Sequence, residues 1–259
     1  MLNQAQVVVP QAGGQLQRLA ADLGAAAVIQ AATTDATADH KSVGHRAHSG
    51  TIRQRRVEAQ AGPGGVIADR AGGLRTVDTC HYLAHQESIT ECDLIVEMSS
   101  EEYEQRLLAG WRHFGRQVFR PKCENCNECK SLRIPVKDYK PNRSQARNFK
   151  ANHGRISLEI QEPALTDEIM DLYDRFHAER SYSRDWPAKE DEDAFSFDCS
   201  FLDNPFPVEQ WMYRENGRLC GVGYVDGLKC GLSAIYFFHD PNFYSHGIGI
   251  WNVMSLINE

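Results

Sequence analysis

The distribution of aromatic and cysteine residues divides this chain into two unequal parts. Residues 1–79 contain no Phe, Tyr, Trp or Cys, so all eight cysteines and every aromatic residue of the 259-residue chain lie in 80–259. The first segment is rich in Ala and Gly, as at 61–65, and offers few side chains that could form a core. Since burial of apolar surface must offset the entropy lost on folding, we predict a disordered extension over 1–79, or upstream sequence from a misassigned start.

The remainder has the composition of an ordinary globular protein. The whole chain is 42% hydrophobic and 24% charged, enough to bury a core. The uncharged, Ala-rich stretch Leu23–Thr34 has 12 residues, whereas a membrane-spanning helix requires about 20. No signal peptide is recognisable, so we expect a cytoplasmic protein without a membrane partner. The net charge of −7 disfavours nucleic-acid binding through overall charge, although a local basic patch remains compatible with it.

Hydrophobic periodicity and turn signals predict a mixed α+β fold from residue 80 onward. The signals are a capping box at Ser99 and Glu102, a period-two strand over Ile156–Ile160, a helix after Thr166, a hairpin turn at Asn216-Gly217 between strands over 208–213 and 219–225, and a third strand over 232–238. A glycine-bearing loop and a helix start follow the third strand. We therefore divide the chain into 1–79, a region over 80–155 and a region over 156–259.

A basic stretch stands out within the acidic part of the chain. Between residues 137 and 155 the only acid is Asp138, and the cations are Lys137, Lys140, Arg143, Arg147, Lys150 and Arg155. Phosphate groups require cations without a fixed sequence, so this stretch suits a nucleic-acid backbone. A solvated basic face is the plain alternative.

Three cysteines spaced by two residues suggest a metal site. Cys123, Cys126 and Cys129 are close enough for one loop to direct all three thiols at one ion. A tetrahedral site needs a fourth ligand, and the candidates in order of preference are Cys80 and then Cys92, His81 and His113. Zinc and an iron–sulfur cluster use the same thiolates, and reduced structural thiols are the plain alternative.

Several longer motifs follow one another in order along residues 80–259. They are Cys80-His-Tyr82-Leu83, Gly110-Trp111-Arg112-x-Phe-Gly115, Phe119-Arg120-Pro121, the cysteine group leading to Leu132-Arg133-Ile-Pro-Val136, Pro141-Asn-Arg143-Ser144-Gln145-x-Arg147, Asp226, Gly231-Leu-Ser233-Ala-Ile-Tyr236-Phe-Phe238-x-Asp240-Pro241, and Gly247-x-Gly249. This series resembles the aminoacyl-tRNA–protein transferases. The opening at Cys80 and the spaced cysteines resemble the bacterial branch, the aspartate/glutamate leucyltransferases, whereas the eukaryotic branch uses arginyl-tRNA.

The resemblance implies an aminoacyltransferase that moves leucine from its tRNA to the α-amine of proteins beginning with Asp or Glu, which marks them for N-degron degradation. Its partners would be leucyl-tRNA as co-substrate and the acidic N-termini. The implied fold is α+β, with a GNAT-like mixed sheet and flanking helices after the disordered segment. The alternatives are an arginyl-tRNA–protein transferase, a GNAT-type N-acetyltransferase and an inactive module that binds N-termini. Acetyl-CoA enzymes usually carry Arg or Gln where Tyr244 stands, which counts against the acetyltransferase.

Two sets of site residues follow from this chemistry. Arginine pairs well with carboxylates and lysine with phosphates, and the glycine loop can offer backbone N–H groups. The substrate- and tRNA-binding candidates are Arg133, Arg143, Ser144, Gln145, Arg147, Lys150, Gly247 and Gly249. The catalytic candidates, at predicted strand ends, are Asp240 and Tyr236, favoured for proton transfer, and Asp226 and Ser233. Family members continue beyond the position of Glu259, so we expect a truncated copy or an incomplete sequence.

Overall fold

The computed structural model describes residues 5–10, 30–31, 65–68, 74–80, 82–83, 85–184, 194–229 and 231–259. The strands are β1 (Ala5–Pro10), β2 (Gln30–Ala31), β3 (Gly65–Ala68), β4 (Leu74–Thr79), β5 (Glu87–Leu94), β6 (Arg112–Phe114), β7 (Gln117–Pro121), β8 (Cys129–Ile134), β9 (Ile156–Gln161), β10 (Val208–Glu215), β11 (Arg218–Leu228) and β12 (Gly231–His239). The helices are α1 (Ser100–Leu108), α2 (Arg143–Asn152), α3 (Asp167–Arg184), α4 (Ala194–Phe197) and α5 (Ile248–Asn258), with a π-helical turn at Asp198–Leu202 and 3-10 helices at Val136–Asp138 and Pro241–His246.

The strands form two sheets, which confirms the mixed α+β prediction. One has seven strands in the order β1-β8-β2-β12-β11-β10-β9, and the other has five in the order β3-β4-β5-β7-β6. Neighbours are antiparallel except β2 and β8. Strands also occur within 1–79, where β4 pairs with β5 from Leu74 to Thr79. The disorder prediction for that segment otherwise falls on residues outside the described ranges.

Helices cover both faces of the central strands of the larger sheet. Residues of β10 alternate between the faces, so that Trp211 and Tyr213 join one core and Val208 and Met212 join the other. The first core also contains Trp251 of α5. The second contains the buried face of α3, where the predicted Ile169, Leu172, Tyr173 and Phe176 are all found.

The local signals for turns and caps are borne out by the geometry. The Ser99 side chain accepts from the Glu102 backbone N–H and the Glu102 carboxylate accepts from the Ser99 N–H, which completes the capping box of α1. Between β10 and β11, Asn216 and Gly217 have φ values of +50° and +81°, as a tight hairpin turn with two left-handed residues requires.

Helix α1 and the smaller sheet pack against the hairpin that joins β11 to β12. Tyr103 and Leu107 of α1 form a core cluster with Trp111, Val118 and other buried residues, and Leu228 at the end of β11 packs on it. This contact brings side chains from distant parts of the chain to one end of the larger sheet. Within the described residues, no helix is long and apolar enough to cross a membrane.

Candidate active site

Two of the predicted catalytic residues meet at the hairpin end of β11 and β12. Asp226 and Ser233 are paired across these strands, and each is 1% exposed. The Tyr103 hydroxyl of α1 donates to Asp226 Oδ2 at 2.6 Å. Asp226 Oδ1 lies 2.9 Å from His113 Nε2 of β6. The carboxylate is therefore held by two groups from the N-terminal part of the chain.

The hydrogen bonds of His113 fix the proton count of this network. Its Nδ1 lies 2.9 Å from the Gly115 carbonyl oxygen, which can only accept, so Nδ1 carries a hydrogen. A hydrogen bond between Nε2 and Asp226 Oδ1 requires one further proton between those two atoms. Wherever that proton resides, His113 and Asp226 together carry no net charge.

Tyr103 acts as a permanent donor to this carboxylate. Burial, reinforced by the negative charge of Asp226, raises the pKa of the Tyr103 hydroxyl well above its ordinary value. The ring stacks on Phe206 at 3.9 Å between centroids and meets His113 edge-on at 5.3 Å. The position of the hydroxyl is thus set by packing as well as by hydrogen bonding.

A small cavity adjoins the network. It is lined by Tyr103, Leu107, Arg112, His113, Asp226, Ser233 and Ile235, with about 160 Å³ of empty space counted to its open mouth. Burial lowers the pKa of the Arg112 guanidinium to about 10, against the opposing effects of Tyr103, Cys129 and Tyr82. Neither this guanidinium nor the Ser233 hydroxyl makes a hydrogen bond or ion pair with another described residue. The cavity therefore holds a cation and a hydroxyl whose bonding capacity is unused within the part of the chain that is described.

Asp240 lies at the opposite end of the sheet from Asp226. It follows β12, seven residues after Ser233, which corresponds to about 23 Å of strand. Its carboxylate pairs with Arg218 and, at 2.9 Å, with Arg175 Nη1, and accepts from the Asn242 backbone N–H at 2.9 Å. Burial raises the pKa of Asp240, but the bonds from Asn242, Arg175 and Arg218 outweigh it and hold the pKa below its ordinary value. This carboxylate caps a turn and stays ionised.

Tyr236 occupies the middle of β12 and belongs to neither end. Its hydroxyl lies 3.0 Å from His177 Nε2 of α3, and its ring packs among the aromatic residues of the core on that face, including Tyr173. The structure therefore brings Asp226 and Ser233 together and separates both from Tyr236 and Asp240.

The basic stretch contains helix α2, which begins with a capping box of Asn142 and Gln145. Arg143, Arg147 and Lys150 follow one another at helical spacing, and these three side chains and Ser144 are exposed. No described acidic side chain pairs with any of the three cations. They form an exposed cationic stripe within the basic stretch, on a helix that the sequence analysis did not predict.

Helix α2 is tied to the glycine loop by two amides. Asn148 Nδ2 donates to the carbonyl oxygens of His246 and Gly247 at 2.9 and 3.1 Å, and Asn152 Nδ2 donates to His246 O at 2.9 Å. Gly247 has φ of +60°, and a Cβ there would lie 2.5 Å from Asn148 Nδ2. The loop ends at Gly247, because Gly249 already lies in the first turn of α5.

Arg133 has a local role. Its Nη2 donates to the Leu108 carbonyl oxygen at 2.8 Å, so this guanidinium satisfies the C-terminal end of α1. The structure thus places the Arg133 guanidinium at the C-terminal end of α1.

The four predicted metal ligands are grouped without forming a metal site. The thiol pKa of Cys129 is raised by burial and then by the neighbouring Cys123, Cys80 and Cys126, so all four sulfurs lie within electrostatic range. Across the described ranges, however, no three or more Cys, His, Asp or Glu side chains are arranged to hold a metal ion. His113 is committed to Asp226, Cys92 is buried in β5, and His81 lies outside the described residues.

The sequence missed most of the groups around Asp226. The sequence gives Tyr103 no role in a site, offers His113 only as a weaker candidate for a metal ligand, and includes Arg112 only within a motif. No local spacing connects residues 103, 112 and 113 with residue 226. Only the packing of α1 on the β11–β12 hairpin brings them together.

Comparisons with known proteins agree over most of the chain. Two family models match, one described as "Arginine-tRNA-protein transferase, N terminus" over residues 78–147 and one as "Arginine-tRNA-protein transferase, C terminus" over 168–259. An aspartate/glutamate leucyltransferase of Pseudomonas fluorescens (strain Pf0-1) is 34% identical over 186 residues, covering 70% of this chain and 76% of the relative. Similar proteins of the same name occur in Campylobacter jejuni (strain 81116), with 34% identity over 70% of this chain and 74% of that protein, and in Helicobacter hepaticus, with 30% over 69% and 73%.

Proposed function

Because the chain belongs to the arginine-tRNA–protein transferase family, we propose that it transfers leucine from leucyl-tRNA to the N-terminal α-amine of proteins that begin with Asp or Glu. Such a reaction marks proteins for N-degron degradation, and we place it in the cytoplasm, where charged tRNA is available. The observation that carries the proposal is the buried Asp226–Ser233 pair, which adjoins a small open cavity lined also by Arg112 and His113.

The reaction requires two proton movements. The amine nitrogen attacks the ester carbonyl, the new C–N bond forms, and the C–O bond to the tRNA ribose breaks. One proton leaves the nitrogen and one reaches the departing ribose oxygen. We assign the first to the Asp226–His113 pair and the second to the Ser233 hydroxyl, which lines the cavity, passes its own proton to the ribose oxygen and takes one back from that pair. Most of the rate enhancement comes from holding amine and ester together, because the ester is already activated.

Tyr103 and His113 are positioning residues in this scheme. Both side chains are almost fully buried, and each makes a hydrogen bond with the Asp226 carboxylate. Their hydrogen bonds orient the carboxylate and leave the Asp226–His113 pair neutral. A neutral pair can accept a proton without first separating from a counter-ion.

We assign tRNA binding to the exposed stripe of Arg143, Arg147 and Lys150 on α2, with Ser144 and Gln145 at its start. A phosphate backbone meets these cations without displacing an internal salt bridge. Asn148 connects this helix to Gly247, so the stripe is fixed relative to α5. The antiparallel strands β10 to β12, followed by that loop and α5, support a GNAT-like C-terminal region, with the domain boundary near residue 155.

The cysteine group is proposed to hold a structural metal. The proposal rests on ligand chemistry, because four thiols are a donor set that suits zinc or an iron–sulfur cluster, whereas their arrangement among the described residues does not bring three of them to one ion. A metal bound there would join the loop before β5 to the start of β8. Metal analysis of purified protein, with a Cys126→Ser variant beside it, tests this: about one equivalent per chain should fall by at least half in the variant.

Transfer of labelled amino acid tests the function. The chain is incubated with labelled leucyl-tRNA, and in parallel with labelled arginyl-tRNA, and with peptides that begin with Asp, Glu or Ala. We expect leucine on the Asp and Glu peptides only. Labelled arginine on those peptides would mean that arginyl-tRNA is the donor. Label on none of the peptides would overturn the proposal.

A further inference from the structure

Three arginines lie near Trp111, and only two have carboxylate partners among the described residues. Arg106 and Arg120 lie over the Trp111 ring, with guanidinium carbons 5.0 and 4.7 Å from its centroid. Arg106 pairs with Asp93 and Arg120 with Glu91, each at 2.6 Å. Arg112, which lines the cavity, has no such partner within the described part of the chain. Because a desolvated charge without a partner destabilises a fold, an unpaired guanidinium at a cavity indicates an anionic ligand.

The charges around the cavity also favour an anion. His113 and Asp226 together are neutral, as their hydrogen bonds require, and Tyr103 remains protonated. Leu107 and Ile235 supply apolar walls. The only net charge on the lining is therefore the single positive charge of Arg112.

We propose that Arg112 binds the side-chain carboxylate of the acceptor's N-terminal Asp or Glu, while Asp226 and Ser233 face its α-amine. This assignment rests on the proposed function and names the residue that selects the acceptor. The planar guanidinium offers two parallel N–H donors to a carboxylate, a geometry that an amide side chain such as Asn cannot match as an acceptor. An N-terminal acidic residue carries a carboxylate and an amine a few ångströms apart, and the cavity presents Arg112 and Asp226 as complementary groups.

The cavity is open to solvent at its mouth. Its roughly 160 Å³ of empty space includes that mouth, and the enclosed part has room for about one water molecule, so the acceptor carboxylate meets Arg112 at the mouth and not inside a closed pocket. The donor must therefore also place its ester at the cavity mouth.

Acceptor discrimination in an Arg112→Gln variant tests the proposal. The ratio of kcat/KM for matched peptides beginning with Asp and with Asn is measured with leucyl-tRNA as donor. We expect the ratio to fall at least about 30-fold from its wild-type value, through loss of Asp transfer, and Arg112→Lys to lose about tenfold. The KM for leucyl-tRNA should stay within about twofold of wild type. An unchanged ratio in Arg112→Gln would overturn the proposal.

Arg120→Gln is the matched control. It removes a neighbouring guanidinium of the same strand pair, one that already pairs with Glu91. A merely structural loss of cations near Trp111 would alter both variants alike, so equal loss of discrimination in Arg120→Gln also counts against a specific role for Arg112.

Peptide titration separates this proposal from the proposed function. Calorimetry with the Asp peptide and the Asn peptide, without tRNA, measures carboxylate binding directly. Suppose that wild type transfers no amino acid yet binds the Asp peptide at least about tenfold more tightly than the Asn peptide, and that Arg112→Gln shows no such preference. The proposed transferase function is then wrong, whereas the assignment of Arg112 to carboxylate binding is supported. Equal binding of both peptides by wild type overturns the site.

Discussion

The strand pair β11–β12 buries a carboxylate at each end, and the two are satisfied in different ways. Asp240 is held by two guanidinium groups and a backbone N–H, so its bonds are ionic and locally complete. Asp226 is held by a phenol and an imidazole that leave it in a neutral network beside a cavity. The difference teaches that burial alone does not identify a reactive acid. The charge of its partners decides whether a carboxylate stabilises the fold or can exchange a proton.

Replacing Asp226 by Asn gives the largest expected effect. The amide keeps the shape and can still accept from Tyr103, but it cannot take a proton from the attacking amine. We expect kcat/KM for leucine transfer to the Asp peptide to fall about 100-fold, roughly 2.7 kcal/mol of transition-state stabilisation. Initial rates measured under conditions where the chain remains folded provide the check.

The control for that measurement is Asp240→Asn. In the folded state its transfer rate should stay within about threefold of wild type. If Asp240→Asn lost activity as strongly as Asp226→Asn, the assignment of the reactive acid to the hairpin end would be wrong.

Asp240→Asn should lower the free energy of unfolding more than Asp226→Asn does, which is the reverse of their order in activity. Asp240→Asn leaves Arg175 and Arg218 without their shared carboxylate, and we expect a loss of about 2–3 kcal/mol in the free energy of unfolding, moderated because both arginines are partly exposed. The folded-state pKa of Asp240 lies below its ordinary value, so its stabilisation is present at neutral pH and is lost as the pH falls below about 4. Urea unfolding at several pH values should give a shallower acid-side decline in the variant. Parallel curves for both chains would contradict the ionic role.

The glycine loop at the Asp240 end offers a matched pair of substitutions. Gly247 and Gly154 both have positive φ, but a Cβ on Gly247 would meet Asn148 at 2.5 Å, whereas a Cβ on Gly154 would meet nothing within 4 Å. Gly154→Ala should cost about 1 kcal/mol for backbone strain, and Gly247→Ala about 1 kcal/mol more because the Asn148 amide must move. Chemical denaturation measures both. Equal losses would mean that the Asn148 contact contributes nothing to stability.

Local signals predicted much of the C-terminal fold. The capping box at Ser99, the Asn216-Gly217 turn and the apolar face of α3 all specify structure through residues a few positions apart. Helix α2 carried the same kind of signal in Asn142 and Gln145, but the density of cations concealed its short apolar face. Strand β5 was missed because its alternation includes Thr, Glu and Asp rather than apolar residues alone.

The candidate site was predictable only in part. Asp226 and Ser233 were chosen because strand ends expose polar groups, and their pairing follows from the hairpin register. Tyr103, Arg112 and His113 are more than 100 residues away from Asp226 along the chain, so no periodicity links them. The partners of Asp240 could not be predicted either, because Arg175 lies far from it in sequence and reaches its carboxylate from α3.

The smallest expected effect concerns the cationic stripe of α2, which belongs to neither carboxylate. Arg147→Ala removes an exposed cation that no described acid neutralises, so stability should change by less than about 0.5 kcal/mol. If Arg147 contacts one tRNA phosphate, the KM for leucyl-tRNA should rise about threefold, and the slope of log affinity against log salt should weaken by about 0.7–0.9. The KM for the Asp peptide should not change, which distinguishes this surface from the cavity of Arg112.

A matched substitution, Arg175→Ala, should instead lower the free energy of unfolding and leave the salt slope unchanged, because the Arg175 guanidinium already pairs with Asp171 and Asp240. A salt slope that is unaltered in Arg147→Ala would place the tRNA elsewhere on the molecule and leave α2 as a solvated face.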